Sequence, residues 1–194
     1  MKPTPETLLG LEAYSRQRAQ LRAAVIPHRK LRSLQLGDHM TLQFEDETTI
    51  RYQIQEMLRI ERIFEADAIQ QEIDAYAPLI PDGGNWKATM LLEYPDVEQR
   101  RRELARLVGI ERQIYVEVAG CEPVFAVADE DLERSTPDKT ASVHFLRFEF
   151  APQVLRAMRQ GAGIAVGCAH PHYTARQPLG AAIRDALLRD FSAA

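Results

Sequence analysis

The sequence predicts an α+β fold: a mostly antiparallel sheet of five to six strands with helices packed on it. Three observations carry this. Trp86–Tyr94 and Ser142–Phe150 alternate with the period of two that a strand requires. Thr49–Glu65 places its apolar residues at helical spacing instead. Two short apolar runs, Gln113–Ala119 and Val124–Ala128, flank the turn Gly120-Cys-Glu-Pro123 and read as a hairpin.

Size and charge narrow the reading. With 194 residues and 45% apolar content, the chain has enough core for a single domain over 1–194. Residues 1–35 form a helical, partly basic N-terminal segment. The net charge of −4 argues against a general nucleic-acid-binding surface. The N-terminus lacks an apolar signal region and no run approaches membrane-spanning length, so a cytoplasmic protein without a membrane partner is expected. Cys121 and Cys168 are too few for a disulfide framework or a four-cysteine zinc site.

In chain order, Glu6–Ala24 is helical, with Leu8, Leu11, Leu21 and Val25 as buried positions and Pro27 as its end. Arg16, Arg18, Arg22, Arg29, Lys30 and Arg32 follow one another without an intervening acid. That stretch reads either as a solvated face or as a surface for RNA, phosphate or an acidic partner. Met40–Phe44 is a short strand, and Glu45-Asp-Glu47 is its exposed turn. Stepping about 100° per residue along Thr49–Glu65 gives a polar face with Arg51, Gln55, Arg59 and Arg62. The apolar face holds Ile54, Met57, Leu58, Ile60 and Phe64, and Gln53 and Glu61 intrude on it. Asp67 caps the next helix, with Gln70 three residues on. Leu79–Asn85 is a turn with two glycines, Asp96 caps a helix that ends at Gly109, and Asp129–Lys139 is a charged loop. Ser142–Phe150 carries apolar weight on both faces, which predicts an inner strand covered on both sides, with Arg147 as a buried charge. Pro152 opens a helix, Ile164–Val166 is the strand after it, and Pro178 opens the last helix.

Two groups of residues invite chemistry. Cys168, His170 and His172 alternate along an extended segment, so their side chains point one way and suit a metal. The competing reading is a strand that ends at the surface with two exposed imidazoles. Lys87, Glu93, Glu117 and Arg147, with Glu61 from the covering helix and His144 as a further ligand-binding candidate, form a polar set on strands otherwise built for a core. Such a set lines a groove for a small charged ligand, or forms an ion-pair ladder under a helix. No Gly-x-Ser-x-Gly elbow is present, and Cys121 sits beside Glu122, which disfavours its thiolate.

Four blocks, Tyr52–Arg62, Leu79–Gly83, Ala128–Arg134 and Val143–Phe148, resemble a bacterial protein family of unknown function over nearly the whole chain. The resemblance implies a full-length, single-domain member and carries no activity, cofactor or oligomeric state. The resemblance implies genes that often lie beside rubrerythrin-like and iron–sulfur oxidoreductase genes, and with them an accessory role near redox or peroxide metabolism and a redox partner protein. The family pattern ends in aspartate-histidine-proline. Here Ala169-His-Pro171 stands in that place, so Cys168 and His172 are local features.

Two functions therefore compete. One is a non-catalytic accessory or small-ligand-binding protein linked to redox or peroxide metabolism. The other is a small, metal-assisted enzyme with a pocket around Glu61 and Arg147, drawing also on His144 or His170. A nucleic-acid role through Arg16–Arg32 ranks third.

Overall fold

The computed structural model describes residues 3–192. The chain groups into two compact units. The residues up to Leu31 and Glu45–Pro81 form a helical unit, and Arg32–Phe44 with the chain from Asp82 onward forms a sheet unit.

The helical unit holds α1 (Leu11–Lys30), α2 (Glu47–Glu61) and α3 (Ala66–Tyr76). Ile50, Ile54, Leu58, Ile73 and Ile80 are its core, and Leu8, Leu11, Ile63 and Ile69 pack against them. α1 runs through Pro27 rather than ending there. Pro27 and Ala23 are both exposed, so the carbonyl that the proline leaves unpaired lies on the solvent side of the helix, where its loss costs little. α2 starts earlier and ends sooner than the periodicity suggests. Asp46 accepts the Thr49 N–H at 2.9 Å while the Thr49 hydroxyl accepts the Asp46 N–H at 3.0 Å, a reciprocal cap. Glu45 is buried and accepts the Thr49 hydroxyl at 2.5 Å. The segment expected as an exposed turn is thus the start of a helix. At the other end Arg62 adopts a left-handed conformation, φ 57°, and stops α2. Ile60 and Phe64, expected in the apolar face, are 60% and 71% exposed, whereas Gln55 from the polar face is buried. The buried stripe is rotated because α1 and the segment before it cover a different side. The N-cap of α3 is Glu65, and Asp67 lies in its first turn, where a carboxylate meets the positive helix end.

The sheet unit is α+β, as expected, with two antiparallel sheets among the described residues. Its strands are β1 (Ser33–Gln35), β2 (Met40–Phe44), β3 (Asn85–Leu92), β4 (Ile114–Val118), β5 (Val124–Phe125), β6 (Val127–Ala128), β7 (Val143–Glu149), β8 (Ile164–His170) and β9 (Tyr173–Pro178). One sheet has the order β1-β2-β3-β7-β6 and the other β5-β4-β8-β9. The predicted hairpin is β4–β5, but after Ala126 the chain leaves that sheet, and β6 pairs with β7 in the other. Helices α4 (Val97–Arg106), α5 (Pro152–Arg159) and α6 (Ala181–Leu188) complete the unit. β9 has no counterpart in the sequence reading. Pro178 ends it and the last helix opens at Ala181. β7 is an inner strand, but only its even positions, His144, Leu146 and Phe148, are buried. Arg147 on the other face keeps a quarter of its side chain in solvent, at 25%, so it is not the buried charge expected. Among the described residues no helix is long and apolar enough to cross a membrane.

Trp86 is fully buried in an aromatic cluster. It stacks on Phe191 at 5.4 Å and meets Phe44 and Phe150 edge-on at 5.7 and 5.0 Å. Its indole N–H donates to the Leu187 carbonyl at 3.0 Å, which ties β3 to α6. Arg32, the last member of the basic stretch, is only 2% exposed and donates to Phe44 and Ala186 carbonyls and to Asp190. Its charge is therefore consumed inside the sheet unit. Phe191→Ala removes the ring stacked on Trp86. It is expected to cost about 3 kcal/mol, read in urea unfolding followed by the emission of the chain's one tryptophan.

Candidate functional site

Lys87 and Arg147 face each other in the β3–β7 register. The Arg147 guanidinium is engaged through all three nitrogens: it grips Glu130 with two bonds at 2.7 and 2.8 Å and donates to Glu149 at 2.6 Å. That hydrogen bonding lowers the Glu130 carboxyl below its ordinary range, with the Lys87 charge as a lesser cause. Asn85 donates to Glu149 at 3.2 Å from the neighbouring strand. Glu117 belongs to the other sheet, where Arg176 of β9 holds it with two bonds of 2.9 Å. Glu61 is the last residue of α2, exposed, in the helical unit. The intruding carboxylate is therefore in water rather than on a covered stripe. The set splits into an ion-pair ladder on β3 and β7, a surface pair on β4 and β9, and a solvated helix end.

His144 goes the other way. It is 0% exposed and belongs to a buried polar chain. Nδ1 lies 2.6 Å from the Asp129 carboxylate, and Nε2 lies 2.8 Å from the Thr140 hydroxyl and 3.1 Å from the Ala141 carbonyl. Thr140 is 1% exposed; its hydroxyl reaches Ser135 at 3.0 Å and Glu111 at 3.5 Å, and its N–H donates to Leu104 at 3.0 Å. Asp129 adopts a left-handed backbone, φ 52°, that aspartate tolerates better than most residues. It also accepts the Phe145 N–H at 3.1 Å and Arg134 at 3.3 Å. Acid, imidazole and hydroxyl stand in the order of a nucleophilic triad, yet the hydroxyl is sealed and its neighbours hold it from every side. The chain's evident work is to fasten the 129–141 loop to β7. Sequence reasoning named His144 and missed Asp129, Thr140 and Glu111. The available signal was a histidine on the inward face of a strand, which needs polar partners.

Cys168 and His170 are buried and His172 is exposed. Burial pushes the Cys168 thiol up, which works against a metal-bound thiolate. Both His170 nitrogens are engaged: Nδ1 accepts the His172 N–H at 3.2 Å, and Nε2 lies 3.3 Å from the Val108 carbonyl. Among the described residues no three His, Cys, Asp or Glu side chains gather to hold a metal.

A second polar cluster lies in the helical unit. Leu11, Tyr14, Arg18, Leu21 and Val25 repeat at spacings of three and four, the inner seam of α1, so Tyr14 and Arg18 occupy seam positions. Glu56 of α2 meets them there. It accepts the Tyr14 hydroxyl at 2.6 Å, two Arg18 bonds at 2.8 Å and one long Arg59 contact at 3.5 Å. The Arg18 bonds lower the Glu56 carboxyl to about 2, against a smaller opposing effect of burial. Burial first, and then Glu56, raise the Tyr14 phenol. One residue earlier, Gln55 holds the Leu9 backbone from both sides, accepting its N–H at 2.7 Å and donating to its carbonyl at 3.1 Å. The heptad-like spacing of α1 was the signal for this cluster.

An open groove of about 410 Å³ runs between the 120–124 turn and the first turn of α5. Cys121, Glu122, Val124, Glu149, Gln153 and Val154 line it.

Residues 3–191 match the family model described as protein of unknown function, DUF3501. The chain belongs to the DUF3501 family. A crystal structure of a novel protein of unknown function from Burkholderia pseudomallei is 50% identical, with a TM-score of 0.94 over 99% of this chain and 100% of that one. No curated protein matches. In this DUF3501 chain the four sequence blocks fall on α2, the turn before β3, the 128–134 segment and β7. They include Gln55, Glu56 and Arg59 of one cluster and Asp129, Arg134 and His144 of the other.

His144→Ala in this DUF3501 protein leaves the second carboxylate oxygen of Asp129 without its imidazole partner, while Phe145 and Arg134 still hold the first. A loss of about 2–4 kcal/mol is expected in urea unfolding, with faster amide exchange in the 129–141 loop; an unchanged midpoint would refute the fastening role. Glu56 makes a pH-dependent contribution. Its folded pKa is depressed, so its stabilisation is complete above the unfolded value near ~4.3 and is lost as pH falls towards about 2. Glu56→Gln is expected to be less stable at neutral pH by on the order of 3 kcal/mol, and its stability gap to the native protein should close as pH falls from about 4 to about 2.

Proposed function

We propose that the protein is a non-catalytic, small-ligand-binding accessory protein that serves a redox partner. The observation that carries this reading is the open groove beside Cys121, whose volume of about 410 Å³ lies in the range of small-molecule sites. Its walls combine a half-buried thiol and two carboxylates with the apolar side chains of Val124 and Val154. The groups suited to acid–base work are engaged elsewhere. Arg147 is held by Glu130 and Glu149, Glu117 by Arg176, and His144 is sealed between Asp129 and Thr140. That distribution favours binding over turnover. The gene neighbourhood implied by the family resemblance supports the redox side of the reading.

An enzyme is the second reading, and the acid–imidazole–hydroxyl order of Asp129, His144 and Thr140 favours it. With the imidazole at 0% exposure, that reading requires the 129–141 loop to open.

Thermal-shift screening of amino acids, nucleotides and small thiols and disulfides separates the two. A stabilising compound should act on the native protein and on His144→Gln, and should lose its effect in Gln153→Trp, which fills the groove rim. A screen in which no compound loses its effect in Gln153→Trp, or a turnover that disappears with His144→Gln, overturns the accessory reading.

A further inference from the structure

We propose that Arg18 and Arg59, set around Glu56 in the helical unit, form a binding site for an oxyanion, the carboxylate or phosphate group of a small ligand. The charge count is the first reason. Two guanidinium groups share one carboxylate, which leaves the cluster one positive charge in excess. Arg22 adds to that excess. It lies one helical turn beyond Arg18 on α1 and is exposed.

The depth of each group is the second reason. Tyr14 is fully buried and the Glu56 side chain is 15% exposed, while Arg18 and Arg59 keep 33% and 36% of their side chains in solvent. The carboxylate and phenol therefore make a floor, and the two cations rise from it to the surface. The floor is rigid. Three strong hydrogen bonds hold Glu56, and the neighbouring Gln55 locks the Leu9 backbone. Tyr52 stands one turn before Glu56 on α2 and is near enough to interact electrostatically with Arg18 and Tyr14.

The third reason is Arg59 itself. Glu56 takes Nε and Nη2 of Arg18 in a planar two-bond grip, but Arg59 reaches it only through one 3.5 Å contact. Arg59 Nε is buried and finds no hydrogen-bond partner among the described residues. A guanidinium is a five-donor fork, and one held by a single long contact is under-used. An oxyanion seated over the outer edges of Arg18 and Arg59 would accept from both forks at once. It would also offset the repulsion between two cations that share one counter-charge. Guanidinium recognition does not by itself choose between carboxylate and phosphate, so the test includes both.

The experiment is calorimetric titration of the full chain with inorganic phosphate and, separately, with succinate, at constant ionic strength with chloride as the balancing anion. Arg59→Gln is the test variant, because Arg59 contributes only one long contact and the Tyr14–Glu56–Arg18 lock stays whole. Arg59→Lys keeps the charge and loses the fork. Saturable binding of one of the two anions is expected, weakened about tenfold or more in Arg59→Gln and by less in Arg59→Lys. Phosphate binding alone assigns a phosphorylated ligand, and succinate binding alone a carboxylic acid. Absence of saturable heat with both anions up to about 10 mM, or equal affinity in Arg59→Gln, overturns the proposal. The groove beside Cys121 takes no part in this test, so its outcome is independent of the accessory reading.

Discussion

The pleat of β7 is the constraint on which the sheet unit depends. Antiparallel pairing with β3 and β6 fixes its register, and a period of two then decides which side each residue takes. His144, Leu146 and Phe148 go inward, and Phe150 follows just past the strand end. Phe150 meets Trp86 and Phe191, so the aromatic cluster, the indole bond to α6 and the seat of the last helix all follow from one register. The same register obliges His144 to enter the interior, and an imidazole there must find polar partners. Asp129 and Thr140 supply them from a loop with no regular structure. A one-residue slip would put Arg147 in the core and leave Asp129 with no imidazole to meet.

This dependence explains which parts of the molecule were legible in the sequence. Strands β3, β4 and β7 and helix α5 were readable because each buries one face against a large core, so burial imposes a period; β8, buried on both faces as far as Cys168, was legible only as the short apolar run Ile164–Val166. β9 was not. It is an edge strand with Tyr173 and Ala175 half-buried and Thr174 and Arg176 exposed, and a proline that reads as a helix start closes it. Pro27 misled in the opposite sense, because a proline near the end of an exposed helix costs one solvated bond rather than the helix. The apolar face of α2 was drawn too wide. Periodicity locates apolar residues but not the neighbour that covers them, and Ile60 and Phe64 lie at and beyond the end of the helix.

The polar residues show the same limit more sharply. Asp129 and His144 are fifteen residues apart, Tyr14 and Glu56 forty-two, and Arg32 and Asp190 one hundred and fifty-eight. No local pattern announces such pairs. Each also draws on a residue that composition assigns to the surface: an acid from a charged loop, an arginine from a basic run, a glutamate from the border of a helix face. Local pattern exposed the need, as with a histidine on an inward position, but not the residue that meets it.

Once these pairs are formed, the accessible chemistry of the molecule is much reduced, and this bears directly on function. A catalytic carboxylate or imidazole has to meet its substrate, and its hydrogen bonds have to change during the reaction. Arg147, Glu117 and His144 instead sit in short, satisfied contacts. Satisfied groups of this kind stabilise a fold and resist change. The features that are not used up in this way are of another type: an open groove with a thiol on its wall, and a guanidinium that shares a carboxylate already held by another arginine. Both are open to a ligand, the groove through a thiol and two carboxylates on its walls and the cluster through guanidinium donors at its rim. The two features belong to different units of the chain, so a ligand bound to one need not compete for the residues of the other.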